Sequence, residues 1–193
     1  MSNKEYNIKC GLKIWSSNKD LFSQAVELFQ TGKIDFIELY IVPDSLAGNS
    51  ILKDFKKIPI TIHATHMEHG FDVFLLDDKK IKFFKNQIIK IADLLNSKFI
   101  VMHADEGDSN EDFKRNIEKI KDSRMLIENL PKVNLESKTC YASTYKQLKF
   151  IKDCGFKFCF DFSHAIKSAI SQKINYKEFV EKLIEELNPN YFH

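Results

Sequence analysis

The chain has 193 residues, a formal net charge of +2 and a 44% hydrophobic composition that includes 17 phenylalanines. That length fits one domain of about 100–200 residues, the near-neutral charge gives no general basic face for nucleic acid, and no apolar run reaches the roughly 18 residues that span a bilayer. The opening MSNKEYNIKC lacks the apolar core of a signal peptide, and Cys10, Cys140, Cys154 and Cys159 form no CxxC pair, so the expected setting is cytoplasmic with reduced thiols.

The first strand candidate is CGLKIW (10–15). A helix follows over LFSQAVELFQ, with Ser17 or Asn18 to cap it and Leu21, Phe22, Ala25, Val26 and Phe29 on one face; Gly32 supplies the left-handed exit. DFIELYI (35–41) and IPITIHA (58–64) read as strands two and three. Residues 79–97 are helical by Ile81, Phe84, Ile88, Ile91, Ala92 and Leu95, and SKFIVMH (97–103) is strand four. A helix over 111–121 turns Phe113, Ile117 and Ile120 inward before RMLIENL (124–130), strand five. The helix 144–154 ends at Gly155, and FKFCFDF (156–162) is strand six. A last helix, 176–187, carries Phe179, Val180, Leu183 and Ile184, stops at Pro189 and leads into NYFH (190–193), the seventh strand candidate.

Strict alternation of strand and helix implies a parallel sheet with right-handed crossovers. The strand ends recur about every 30 residues, close to the repeat of an eight-unit barrel of about 250 residues. An open doubly wound sheet competes, but it gathers its site at one switch point, and no Gly-rich phosphate loop follows the first strand. The expected fold is therefore α/β: a parallel (β/α) TIM barrel, one domain over 1–193, expected to be truncated after strand seven with its eighth βα unit missing, the alternative being a fold that closes by some other means. Such an open barrel is expected to leave Trp15, Phe36 and Tyr191–Phe192 poorly covered and to favour self-association through its edges.

Six residues of metal-ligating type close these apolar runs: His63, His103, Glu128, Asp161, His164 and His193. Four of the chain's six histidines are among them, and the other two, His66 and His69, follow His63 closely. The C-terminal strand ends of a parallel barrel are where active sites are built, and histidine with carboxylate is a ligand set for zinc, manganese and related ions. Each residue also has a plain structural alternative. His63 alone is a loop-entry histidine bonded to backbone, Glu128 an internal salt bridge, and Asp161 a helix cap beside a surface His164. His66, Glu68 and His69 are a solvated loop, and Asp105 and Glu106 either orient imidazoles or cap a helix. The lysines at 79, 80, 82 and 85 read as a solvated outer face.

From GLKIW through FIELY, IHATHME, VMHADEG, IENLP, DFSHA and YFH, the whole chain resembles the xylose-isomerase-like TIM-barrel superfamily. That superfamily holds sugar isomerases and epimerases and the endonuclease IV group of DNA-repair enzymes. The resemblance implies a divalent metal (Mn, Zn, Co or Mg). Its epimerase branch takes ligands from strands five to eight; Glu128, Asp161 and His193 match the first three, and the fourth lies beyond the chain. His164 matches a substrate-contacting histidine, and Glu38 a frequent second-strand glutamate. The endonuclease IV branch adds histidines on strands three and four, matched by His63 and His103, while its later ligands also lie beyond the chain.

The first expectation is a metal-dependent sugar or sugar-phosphate isomerase or epimerase. Glu128 would take the proton beside the carbonyl to give an enediolate, and His164 would act with it. Glu128, Asp161, His193, His63 and His103 would hold metal, and His66, Glu38 and Trp15 would contact substrate. The alternative is an endonuclease IV-like zinc phosphodiesterase acting at abasic DNA, and a third reading is a non-catalytic barrel with a decayed metal site. The expected partner is a small sugar or sugar phosphate, with nucleic acid only under the second reading, no membrane, and room for a homo-oligomer.

Overall fold

The computed structural model describes residues 8–46 and 52–193. Residues 1–7, part of the segment read for a signal peptide, lie outside the described residues. Seven strands are found among those described: β1 Gly11–Trp15, β2 Phe36–Tyr40, β3 Ile60–His63, β4 Ile100–Met102, β5 Met125–Glu128, β6 Lys157–Phe160 and β7 Tyr191–Phe192. They pair in chain order, every pair parallel. The sheet curls far enough for the Tyr191 hydroxyl on β7 to donate to Glu38 Oε2 on β2 at 2.5 Å. Right-handed strand twist accumulated over seven parallel strands drives such a curl.

Alternation along each strand sorts the residues into two sets. Ile37, Leu39, Ile60, Ile62, Ile100, Met102, Met125, Ile127, Phe158 and Phe160 face outward and join the helices in the main core. The residues between them face the barrel interior. Val101, Leu126, Cys159 and Tyr191, with Phe36 and Phe99 against them, form an apolar floor. Directly above it on the same parity come Glu38, His63 and Glu128, all buried, so the floor keeps water from the underside of the polar layer.

The helices cover the outer face as their apolar stripes require. α1 (Phe22–Gln30) buries Phe22 and Ala25, and α5 (Asn110–Ile117), capped by the Ser109 hydroxyl, buries Phe113 and Ile117. α6 (Tyr145–Asp153) starts with a capping box between Thr144 and Gln147. α8 (Tyr176–Leu187) buries Phe179, Leu183 and Leu187 and ends at Asn188 (φ +50°) just before Pro189.

The structure departs from the sequence reading in several elements. The expected helix over 79–97 is three pieces, α3 (Asp78–Phe83), a π segment (Phe84–Ile89) and α4 (Lys90–Leu94). The wider π turn keeps both Phe84 and Ile88 buried across the change of phase. Two helices were not anticipated: the short α2 (Leu52–Phe55) and α7 (Phe162–Ser171), which starts directly from the end of β6 with Asp161 as its cap. Of the residues expected to be poorly covered, Trp15 and Phe192 are exposed, but Tyr191 is only 8% exposed because the interior floor accepts its ring. No helix among the described residues is long and apolar enough to cross a membrane.

Candidate metal centre

One cavity of about 440 Å³ opens at the C-terminal end of the sheet and is lined by Lys13, Trp15, Tyr40, His63, His66, His103, Glu128, Asp161, His164 and His193. Every residue expected to ligate metal lines it. Glu38 lies beneath it, and His69 stands behind Tyr40 with Nδ1 2.8 Å from the Tyr40 hydroxyl.

Glu128, 1% exposed at the end of β5, is the hub. Its Oε2 lies 3.3 Å from His63 Nε2, 3.2 Å from His103 Nε2 and 3.4 Å from His193 Nδ1. Its Oε1 lies 3.3 Å from His164 Nδ1. Parallel register explains the convergence: His63 is level with Val101 on β4, and His103 follows two residues up, opposite Glu128 on β5. The stagger of a curled sheet thus brings three strand ends to one height.

Local hydrogen bonds set the rings. His63 Nδ1 donates to the Ala64 carbonyl at 3.0 Å, leaving Nε2 toward Glu128. His164 Nδ1 donates to the Asn129 carbonyl at 3.1 Å. Asp161 caps α7, the structural alternative read from sequence: Oδ1 accepts from His164 N at 2.7 Å, while Oδ2 lies 3.6 Å from His164 Nδ1 inside the cavity. Asn129 clamps β5 to the end of β6, its amide accepting from Asp161 N at 2.8 Å and donating to Asp161 O at 2.9 Å. Asp105, expected to orient an imidazole or cap a helix, has Oδ1 3.8 Å from His103 Nδ1, and Ser109 caps α5 instead.

The electrostatics follow from burial opposed by close partners. Burial pushes the Glu128 carboxyl up, but the charge of His103 and hydrogen bonds with His103, His164 and His193 hold it well below the usual carboxylate range. Burial lowers His63, and burial with the neighbouring imidazoles lowers His66 to about 2. Both rings are neutral, the form that ligates metal. Burial opposes charge on His193 too, but contacts with Cys159, Glu128 and Glu38 raise it to about 12.

The donor set fits a divalent cation. Three groups sharing Glu128 bring one potential ligand atom from each residue within 4.8 Å of the others: His63–His103–Glu128, Glu128–Cys159–His193 and Glu128–Asp161–His164. A fourth such group is His66–His103–Asp105, where Asp105 Oδ2 is buried without a hydrogen-bond partner among the described residues. Such a concentration of buried carboxylate and imidazole is costly unless paired or metal-bound.

The sequence reading missed Lys13, Tyr40, Asn129, Cys159 and Tyr191. Four of them share the inward parity of their strands with a residue already singled out: Lys13 with Trp15, Tyr40 with Glu38, Cys159 with Asp161 and Tyr191 with His193. Counting back two residues from each strand end would have found Lys13, Cys159 and Tyr191. Asn129 gave no such signal.

No protein-family model matches this sequence, and no curated protein matches it. Solved structures do. Endonuclease IV from Thermus thermophilus superposes with a TM-score of 0.68 at 16% identity over 93% of this chain and 72% of its own. AsfvAP:AG gives 0.59 at 14% identity, covering 95% of this chain and 72% of its own. A xylose isomerase domain containing protein from Salmonella typhimurium gives 0.58 at 14% identity, covering 84% of this chain and 64% of its own. At these identities the likeness is one of fold. The chain shares the TIM-barrel fold of these structures, carried here by seven parallel strands in a curled half-barrel.

Proposed function

We propose that this chain is a divalent-metal-dependent phosphodiesterase of the endonuclease IV type, acting on nucleic acid at an abasic position. The observation that carries the reading is the position of Glu128, whose two oxygens are shared among four imidazoles, from the C-terminal ends of β3, β4 and β7 and from α7. A carboxylate so placed would hold divalent cations together with those imidazoles, and such cations would supply an acidified water and neutralise phosphate oxygens.

The chain's own residues have distinct tasks in this reading. Glu128, His63, His103, Asp161 and His193 would hold the metal, and His63 is kept neutral and aimed by its bond to Ala64 O. His164 would ligate or touch a phosphate oxygen through the Nε2 that its bond to Asn129 leaves free. Trp15, packed 4.9 Å from Tyr40 and half-exposed at the rim, offers an apolar wall for a deoxyribose face. The likeness to endonuclease IV supports this ordering.

Sugar isomerisation, the first expectation from sequence, is the second reading. The likeness to the xylose isomerase domain protein favours it. It needs a carboxylate free to take a proton from carbon, and Glu128 is fully engaged. The test is strand scission of a duplex oligonucleotide bearing one abasic site, with and without Zn²⁺ or Mn²⁺. Cation-dependent cleavage beside that site is expected. No cleavage, together with cation-dependent interconversion of an aldose and its ketose, would reverse the order.

A further inference from the structure

Glu38 was expected to contact substrate, yet it is only 3% exposed and does not line the cavity. It lies on β2, inward and one layer down. Its Oε2 accepts from the Tyr191 hydroxyl at 2.5 Å and from His193 Nε2 at 2.8 Å. Its Oε1 lies 3.3 Å from Lys13 Nζ, without hydrogen-bond geometry. The His193 ring therefore has opposite ends committed differently: Nε2 points down to Glu38, and Nδ1 points up toward Glu128 Oε2 at 3.4 Å.

This orientation reverses that of His63, which spends Nδ1 on backbone and turns Nε2 on Glu128. His193 sits at the end of a two-residue strand, where backbone alone fixes a side chain poorly. Something else must aim its ring, and Glu38 has the reach and the charge for it. Tyr191 and Lys13 in turn hold Glu38, so the support runs from β1 through β2 to β7.

We propose that Glu38 is the positioning residue of the metal centre: it holds His193 by Nε2–H so that Nδ1 faces the cation site shared with Glu128, without touching substrate. The proposal rests on the metal-dependent reading of the site. A carboxylate behind a metal-bound imidazole fixes the ring and raises its basicity, and losing one weakens metal binding by about 10–100-fold.

Glu38→Gln and His193→Ala, singly and together, test this by Zn²⁺ titration against a chelating indicator, beside the proton spectrum of the metal-free protein. Glu38→Gln keeps the shape, and its fold is checked by circular dichroism. The expected result is a tenfold or greater loss of affinity in Glu38→Gln, and no further loss when it is added to His193→Ala, because both act through one ring. The wild-type spectrum should show a slowly exchanging, far-downfield His193 Nε2–H that shifts in Glu38→Gln. Unchanged affinity in Glu38→Gln, or losses that add in the double variant, would overturn the proposal. Wild-type protein that binds no Zn²⁺ yet shows the Glu38-dependent resonance would sink the metal reading and leave the orienting role standing. Absence of that dependence would sink the role itself.

Discussion

At the scale of single residues, the site turns on one buried anion among imidazoles. Glu128 is held ionised, against its burial, by the charge of His103 and by hydrogen bonds with His103, His164 and His193. Glu128→Gln keeps the volume and removes the charge. It is predicted to abolish cation-dependent turnover and to weaken metal binding by at least about tenfold, since the amide is a poor ligand. The fold should survive at a cost of about 1–3 kcal/mol, the range for leaving buried polar groups without their partner. Turnover and titration, read beside circular dichroism, check this; undiminished turnover would remove Glu128 from the centre. The strand-end residues were legible in the sequence because a lone His, Glu or Asp ending a β-branched run stands out. Glu38 and Lys13 were harder to assign, since mid-strand polar residues look alike whether they face substrate or support a ligand.

At the scale of elements, the far end of the barrel is tied by Arg124, just before β5. Its guanidinium grips Asp122 through Nε and Nη2, each at 2.8 Å, and reaches Asp93 on α4 at 2.8 Å. Hydrogen bonds from Arg124, outweighing partial burial, hold the Asp122 carboxyl below its ordinary value. A carboxyl with a depressed folded value stabilises above its unfolded value and loses that contribution as pH falls through the folded one. Wild-type stability should therefore drop below about pH 4, the unfolded aspartate range. Arg124→Met should lower stability at pH 7 by about 1 kcal/mol, because the pair is bidentate but partly exposed, and should blunt that acid loss. Urea midpoints at pH 7 and about pH 3.5, within that range, would show it; an acid loss identical in both proteins would contradict it. A second test is Gly107→Ala in the β4–α5 loop. A Cβ there would lie 2.5 Å from the Phe74 ring, which packs on Tyr141 at 5.1 Å. A loss of about 1–3 kcal/mol is expected from the forced shift, read from the urea midpoint. Elements with clear punctuation, such as the helices ended by Gly155 and Pro189, were legible in sequence. α7 was not, because FDFSHAIKSAIS runs from strand into helix with no Gly or Pro between them. The π segment was hidden because Phe84 and Ile88 also satisfy an ordinary helical period.

At the scale of the whole molecule, the curled sheet makes site and fold depend on each other. β1, β2 and β7 meet through Lys13, Glu38, Tyr191 and His193, and β3, β4, β5 and α7 meet at Glu128. Cation binding should therefore stabilise the entire chain. At a free concentration about 100 times the Kd, one site contributes about 2.7 kcal/mol. For a chain of this size that is a rise in Tm of about 5–10 °C, reversed by chelator and seen by differential scanning calorimetry; an unchanged Tm would mean that the cluster does not bind the ion when folded. The parallel architecture was legible because most of the apolar strand runs are separated by helical ones. The choice of chemistry was not, because sequence places ligands on strands but does not show that one carboxylate faces four imidazoles.

The most direct test of the account is the number of cations held per chain, measured by elemental analysis after equilibrium dialysis in Zn²⁺ and again for Glu128→Gln. A centre built around a shared Glu128 predicts at least two tightly held ions in the wild type and none held tightly in the variant. A single ion held equally well by both proteins would contradict it.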